Sequence, residues 1–474
     1  DLYVNRYRKI TAENYGIFMY IRNVYTGELW SNTYAPLNVK PDTYRVTFAS
    51  DRIKFMREDY GIITTTEICV VKDKNIEIRK ISFENLTSKD VVLELTSYGE
   101  IIMCQNDRDV AHRSFNSMTI FSEFDERTAT LLFSRKSRNV KNTKYYIASR
   151  MFFENENDLK IEYETARLNF IGRNNTTQNP LIISSVGNLS KGLGSSLDPI
   201  MSIRREIIVK AGKKENTYLL VSFAKSRQQA MDMVNSYNTA IDINNAFDMA
   251  TVLNNMRISY SHLKGDQMRV YNSILKHIFQ TASINEKRKN ILQQNTLSQP
   301  NLWRFGISGD LPIILLEMDA MENALILKDV LQAYEFYKSM GLFMDIVIIN
   351  NEKESNEEVL EKYISDLVNK IYYFNYFENL RGNVYTISAR DLSEEERTLL
   401  YTIARITIDS STGKSLEKQM QEMQTPDFFC ADDSKYTNLL TKEPKQEYGL
   451  QYYNEYGGFK NNGSEYCITN VNTP

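Results

Sequence analysis

Hydrophobic and polar positions alternate in short runs through the first half of the chain. The runs 17–22, 61–71, 76–83 and 91–98 are rich in β-branched and aromatic residues, and Ile76 and Ile78 face opposite to Glu77 and Arg79. Turn-forming stretches such as Lys72-Asp-Lys-Asn75 and Asn85-Leu-Thr-Ser-Lys-Asp90 separate them. Further runs follow at 129–133, 144–148, 203–209 and 218–223. Short strands with this punctuation predict a large antiparallel β-sandwich over 1–225, larger than an immunoglobulin-type domain.

The period changes after Ser226. Arg227-Gln-Gln-Ala-Met-Asp-Met-Val234 opens a helical stretch, and Met268, Val270, Tyr271, Ile274, Leu275 and Ile278 form a helical stripe,. We expect a helical connector over 226–300. From 301 to 409 the pattern becomes strand, helix, strand, helix. Pro312-Ile-Ile-Leu-Leu-Glu317 and Met344-Asp-Ile-Val-Ile-Ile-Asn350 read as strands buried on both faces, with Val384-Tyr-Thr-Ile387 as a third,. Gly341 stands where a helix C-cap belongs, and Ser393-Glu-Glu-Glu396 has the spacing of a capping box,. This predicts a small α/β layer. The remainder, 410–474, is polar and reads as a linker with an aromatic patch near Tyr452. The fold class is therefore multi-domain, a large sandwich followed by a helical connector and a small α/β layer.

Composition narrows the function classes. The 474 residues carry 57 Lys+Arg against 60 Asp+Glu, a net charge of -3, which offers no overall attraction to nucleic acid or an anionic membrane,. No apolar run reaches the roughly 20 residues that span a bilayer, so no membrane contact by this segment is expected. Cys69, Cys104, Cys430 and Cys467 form no CxxC pair, and the three histidines, His112, His262 and His277, fit no metal pattern,. No metal or cofactor is expected, and the thiols read as reduced, as in a cytoplasmic protein. The chain does not begin with Met, and the polar start Asp1-Leu-Tyr-Val-Asn-Arg6 does not read as a signal peptide,.

Candidate chemistry is sparse. Leu302-Trp-Arg-Phe-Gly-Ile-Ser-Gly-Asp-Leu-Pro312 could present Trp303 for sugar stacking, with Arg304 and Asp310 as polar partners,. The alternative is a structural turn in which Arg304 and Asp310 satisfy the backbone or each other. Trp30 is either a stacking platform at a sandwich edge or a core residue. Asp107-Arg-Asp-Val-Ala-His112 brings two acids and a histidine together, suited to acid-base work or to a polar loop,. The arginines of Ser202-Ile-Arg-Arg205 could hold phosphate or line a solvated face. No nucleophile elbow, P-loop or catalytic cysteine signature occurs,.

Several short motifs come in a familiar order. Tyr25-Thr-Gly-Glu-Leu-Trp-Ser31, Arg52-Ile-Lys-Phe-Met-Arg-Glu-Asp-Tyr-Gly-Ile62, Leu95-Thr-Ser-Tyr-Gly-Glu100, Asp109-Val-Ala-His112, Asp198-Pro199, Ser202-Ile-Arg-Arg205 and Trp303-Arg-Phe-Gly-Ile-Ser-Gly-Asp310 resemble the N-terminal supersandwich region of glycoside hydrolase family ninety-four, formerly glycosyltransferase family thirty-six. The similarity is strongest to the cyclic β-1,2-glucan synthase and 1,2-β-oligoglucan phosphorylase members. In that family an aspartate in an (α/α)6 barrel acts as general acid while inorganic phosphate attacks. The resemblance implies that such a barrel would follow Pro474, so no catalytic residue is carried over here. It implies a non-catalytic module acting with β-glucan oligosaccharide and a C-terminal catalytic domain, in a parent that could be tethered to the inner membrane. Phosphate would enter only as a co-substrate of a phosphorylase parent. Two other expectations stand beside this one: an enzyme in its own right with a site near Asp310, and a purely structural module whose apolar stripe at 271–278 awaits a partner.

Overall fold

The computed structural model describes residues 2–6, 14–49, 51–71, 74–135, 145–154, 161–184, 187–260, 263, 265–279, 286–352, 359–374, 381–423, 449–453 and 457–469. Two compact units emerge, one spanning 1–256 together with 431–474, the other spanning 257–430. His262, Cys430 and the stretch 424–448 of the expected linker lie outside the described residues.

The first unit is built on two antiparallel sheets. One runs Glu162–Ala166, Pro199–Val209, Val91–Cys104, Ile17–Asn23, Leu29–Ser31, with Tyr3–Asn5 also pairing with Val91–Cys104. The other has nine strands, in the order Gly194–Ser195, Ile120–Asp125, Thr130–Arg135, Tyr145–Phe153, Lys214–Ala224, Ile76–Asn85, Ile62–Val70, Ile53–Asp59, Thr43–Phe48. The expected sandwich is therefore present. Its central core takes Met19, Ile21, Leu93, Leu95, Met201 and Ile203 from the smaller sheet and Ile81, Phe83, Leu131, Phe133 and Ile147 from the larger. Side chains of period two supply these inward positions.

Both sheets are also covered on their outer faces, which the alternation alone does not reveal. Ile76 and Ile78 belong to a separate cluster beneath the helices Arg227–Asn235 and Ala240–Tyr260, with Ala230, Met231, Val234, Ile243 and Phe247. The expected connector therefore divides. Its first helices pack on the sandwich, whereas Gly265–Phe279 buries Met268, Tyr271, Ile274 and Ile278 inside the second unit. The stripe read as awaiting a partner is already buried there.

The second unit holds a four-stranded parallel sheet, ordered Val384–Ser388, Asp345–Asn350, Ile313–Met318, Ile406–Asp409. Ala324–Ser339 and Val359–Phe374 supply Leu327, Leu331, Leu360 and Ile364 to one face, and Leu399 and Leu400 of Glu394–Ile403 lie on the other. The capping box is formed: Glu396 N–H donates to Ser393 Oγ at 3.2 Å and Ser393 N–H to Glu396 Oε2 at 3.0 Å. Two elements escaped the sequence pattern. Ile406–Asp409 is too short for a clear apolar run, and Leu416–Glu422, placed in the linker, buries Leu416 and Met420 in this core. Near the end of the chain, Gly457–Lys460 and Glu465–Ile468 form a hairpin with Phe459 and Tyr466 rings 5.0 Å apart. A Cβ at Gly457 would overlap the Cys467 carbonyl, so only glycine fits there,.

Candidate functional site

One concave surface of the first unit is a groove of about 660 Å³ on the outer face of the smaller sheet. Strand register assembles it. Arg22 sits opposite Glu94, and Glu94 opposite Glu206, across three adjacent strands. Arg204 lies between Thr96 and Glu162 in the next row. Two glutamates directly opposite repel one another, so the row needs cations nearby. Arg22 Nη2 donates to Glu94 Oε2 at 2.8 Å, while Arg204 lies 3.6 Å from Glu94 and 3.8 Å from Glu162.

Arg204 is anchored below the groove floor by donation to Thr96 Oγ1, the Gly187 carbonyl and the Ile182 carbonyl at 3.0, 2.7 and 3.0 Å. Burial lowers its pKa, and Glu94 and Glu162 oppose that shift. The Leu189 N–H donates to Glu162 Oε2 at 3.1 Å. Asn188, Val24 and Gly27 complete the rim, and the turn that carries Val24 and Gly27 also carries Tyr25, 74% exposed. The groove thus offers planar guanidinium and carboxylate groups whose remaining donor and acceptor positions suit hydroxyls.

The residues singled out from sequence do not converge on it. Trp30 is a correction. It is 0% exposed in the central core, and its indole N–H donates to Thr64 Oγ1 at 3.2 Å, so no sugar can stack on it. Trp303, Arg304 and Asp310 do share one turn, in the second unit, at the amino-terminal end of the strand Ile313–Met318. Trp303 is 61% exposed. Arg304 is committed to structure, 2.7 Å from Glu396 Oε1 and donating to the Asp391 carbonyl at 2.8 Å. The Asp310 N–H donates to Ser308 Oγ at 3.2 Å, and Gly306 and Gly309 adopt positive φ of 75° and 77° to make the turn,. Asp310 and Trp30 lie in different units.

Asp109, read as possible acid-base machinery, is a buried counter-ion. Arg6 donates to its two carboxylate oxygens at 2.9 and 3.1 Å and also binds Glu100 and Asp198. Arg113 donates to Asp198 at 2.6 Å, and Arg167 to Glu100 at 2.9 Å. Burial alone would lower the Arg6 pKa, but these carboxylates raise it well above the ordinary value. Arg204 and Arg205 are both buried, not on a solvated face, and the Arg205 guanidinium covers the Phe153 ring at 4.7 Å. Sequence reasoning missed Arg22, Glu94, Glu162 and Glu206 as a set. They sit on four different strands, and only cross-strand register brings them together.

With this geometry in hand, comparison with known proteins adds three findings. Residues 2–240 match the model of the glycosyl hydrolase 94 supersandwich domain. The chain is 23% identical over 470 residues to the cyclic beta-(1,2)-glucan synthase NdvB of Rhizobium meliloti (strain 1021), covering 96% of this chain and 16% of that protein's length. Among solved structures, a bacterial glucoamylase complexed with acarbose is 13% identical, covers 56% of this chain and 35% of its own, and has a TM-score of 0.34. A putative kojibiose phosphorylase from human microbiome is 11% identical over 53% of this chain and 31% of its own, with a TM-score of 0.28. Neither score is high enough to establish a shared fold.

Proposed function

The chain belongs to glycosyl hydrolase family 94, and from that premise we propose that it is a non-catalytic, glucan-holding module of a larger β-1,2-glucan-acting protein. The observation that carries this reading is the groove of the smaller sheet. Its carboxylates Glu94 and Glu162 are each engaged by arginine, an arrangement that fixes hydrogen-bonding edges,. A binding groove needs such fixed orientation of its polar groups. Tyr25, exposed on the rim turn, supplies an apolar ring face for stacking against a pyranose,.

The linkage is proposed from the synthase whose sequence this chain resembles, and the partner domain from the small share of that protein the chain spans. Calorimetric titration of the chain with linear β-1,2-glucan tests the reading, with β-1,3-glucan as comparator. We expect saturable binding of the β-1,2-linked chain, weakened about ten-fold in Arg22→Ala and Tyr25→Ala, which each remove one contact of about 1.4 kcal/mol. Equal affinity of both variants with the parent chain would remove the groove as the binding site.

A further inference from the structure

The second unit carries a separate cleft that none of the sequence candidates touches. It encloses about 300 Å³ at the carboxyl ends of the strands Asp345–Asn350 and Val384–Ser388, beside the helix Val359–Phe374. On the sheet face packed against this helix, successive positions turn from apolar to polar toward the carboxyl edge. They run Ile346, Ile348, Asn350 on one strand and Val384, Thr386, Ser388 on its parallel neighbour, with Asn350 paired to Ser388. The helix repeats the change sideways: Leu360, Ile364 and Val368 enter the core, and the adjoining stripe Glu361, Ser365, Asn369 borders the cleft. Carboxyl edges of parallel sheets are where α/β folds bind ligands.

Asn350 is only 6% exposed and lines the cleft. Its Oδ1 accepts from Glu352 N–H at 2.9 Å, so the donors this side chain can offer a ligand are its amide N–H groups,. Among the described residues the lining also contains Glu361 and Asp391 but no cation, which disfavours phosphate and other anions,. Paired carboxylate, amide and hydroxyl groups match the vicinal hydroxyls of an uncharged sugar. The volume lies at the lower end of ligand cavities, about 300 Å³, which suits one ring and not a chain.

We propose that this cleft is a second carbohydrate site, binding a single neutral pyranose residue through Asn350, Glu361 and the hydroxyls of Ser365, Thr386 and Ser388. The site is independent of the sandwich groove and stands whether or not the groove holds glucan. The test is a saturation-transfer NMR titration of the whole chain with D-glucose and with a β-1,2-linked glucose disaccharide. Saturable binding is expected, about ten-fold weaker in Glu361→Ala, whose exposed side chain leaves the fold intact,. Asn350→Ala is expected to weaken it likewise, with circular dichroism confirming that the variant folds. Absence of saturable binding by both sugars, undiminished binding by Glu361→Ala, or displacement by inorganic phosphate would each overturn the proposal. Loss of long-glucan binding in Arg22→Ala alone bears on the groove and leaves the cleft standing.

Discussion

Two charge networks occupy the same outer face of the six-stranded sheet, and they differ in what surrounds them. Arg6, Glu100 and Asp109 are nearly sealed, with Arg6 2.9 Å from Asp109, while Asp198, 23% exposed, and Arg113, 37% exposed, close the network 2.6 Å apart. Arg22, Arg204, Glu94 and Glu162 line a groove with side chains 5–16% exposed, and the Arg204 pairs stretch to 3.6 and 3.8 Å. The side chains are of the same kind in both places. Pairing separates them: the close contacts around Arg6 fix the fold, because losing one member strands a buried charge, while the Arg204 pairs beside the groove are longer,.

The largest effect expected from breaking this contrast is at Arg6. Arg6→Ala leaves Asp109 buried without its cation, and denaturant unfolding of the sandwich should show a loss of about 3–5 kcal/mol. A second, comparable loss of about 3–5 kcal/mol is expected from Trp30→Ala, which empties a fully buried position,. Glucan affinity of the folded Trp30 variant should stay unchanged, which separates core from site.

Acid offers a gentler probe. Burial would raise the Glu100 carboxyl, but the charges of Arg6 and Arg167 and the Tyr98 hydroxyl outweigh it and hold the pKa below the ordinary 4.5. A depressed carboxyl contributes stability that is complete above the unfolded value and is lost as pH falls through the folded one. Sandwich stability should therefore decline below about pH 4.5,. Thermal melts across that range check it, and Arg6→Ala, which removes the largest charge holding the Glu100 pKa down, should show a smaller decline,.

The smallest effects belong to the open positions. Trp303→Ala should change stability by less than about 0.5 kcal/mol, since the side chain stands largely in solvent,. A loss of several kcal/mol in the same melts would show instead that its ring anchors the turn at 302–312.

Much of the fold was legible in the chain. Alternation announced the sandwich, near-continuous apolar runs announced the parallel strands, and Ser393 with Glu396 announced a helix start. Legibility failed where burial came from a second direction. Ile76 and Ile78 looked like one face of a half-buried strand, yet helices cover that face, and the helical stretch they pack against was read as a connector. The groove was less legible still. Arg22, Glu94, Glu162 and Glu206 are far apart in sequence, and strand register, which no local spacing encodes, makes them neighbours. Trp30 attracted attention as an aromatic, but an indole says nothing of its exposure until the sheets close over it. The Asn350 cleft depends on where strands end, the least reliable feature of any sequence pattern.

The most direct test of the central claim puts two readouts on one sample: heat of binding with linear β-1,2-glucan, and release of glucose 1-phosphate when phosphate is added. Binding without release is the predicted result, and phosphate-dependent release by the purified chain would contradict it by placing a catalytic site within these residues.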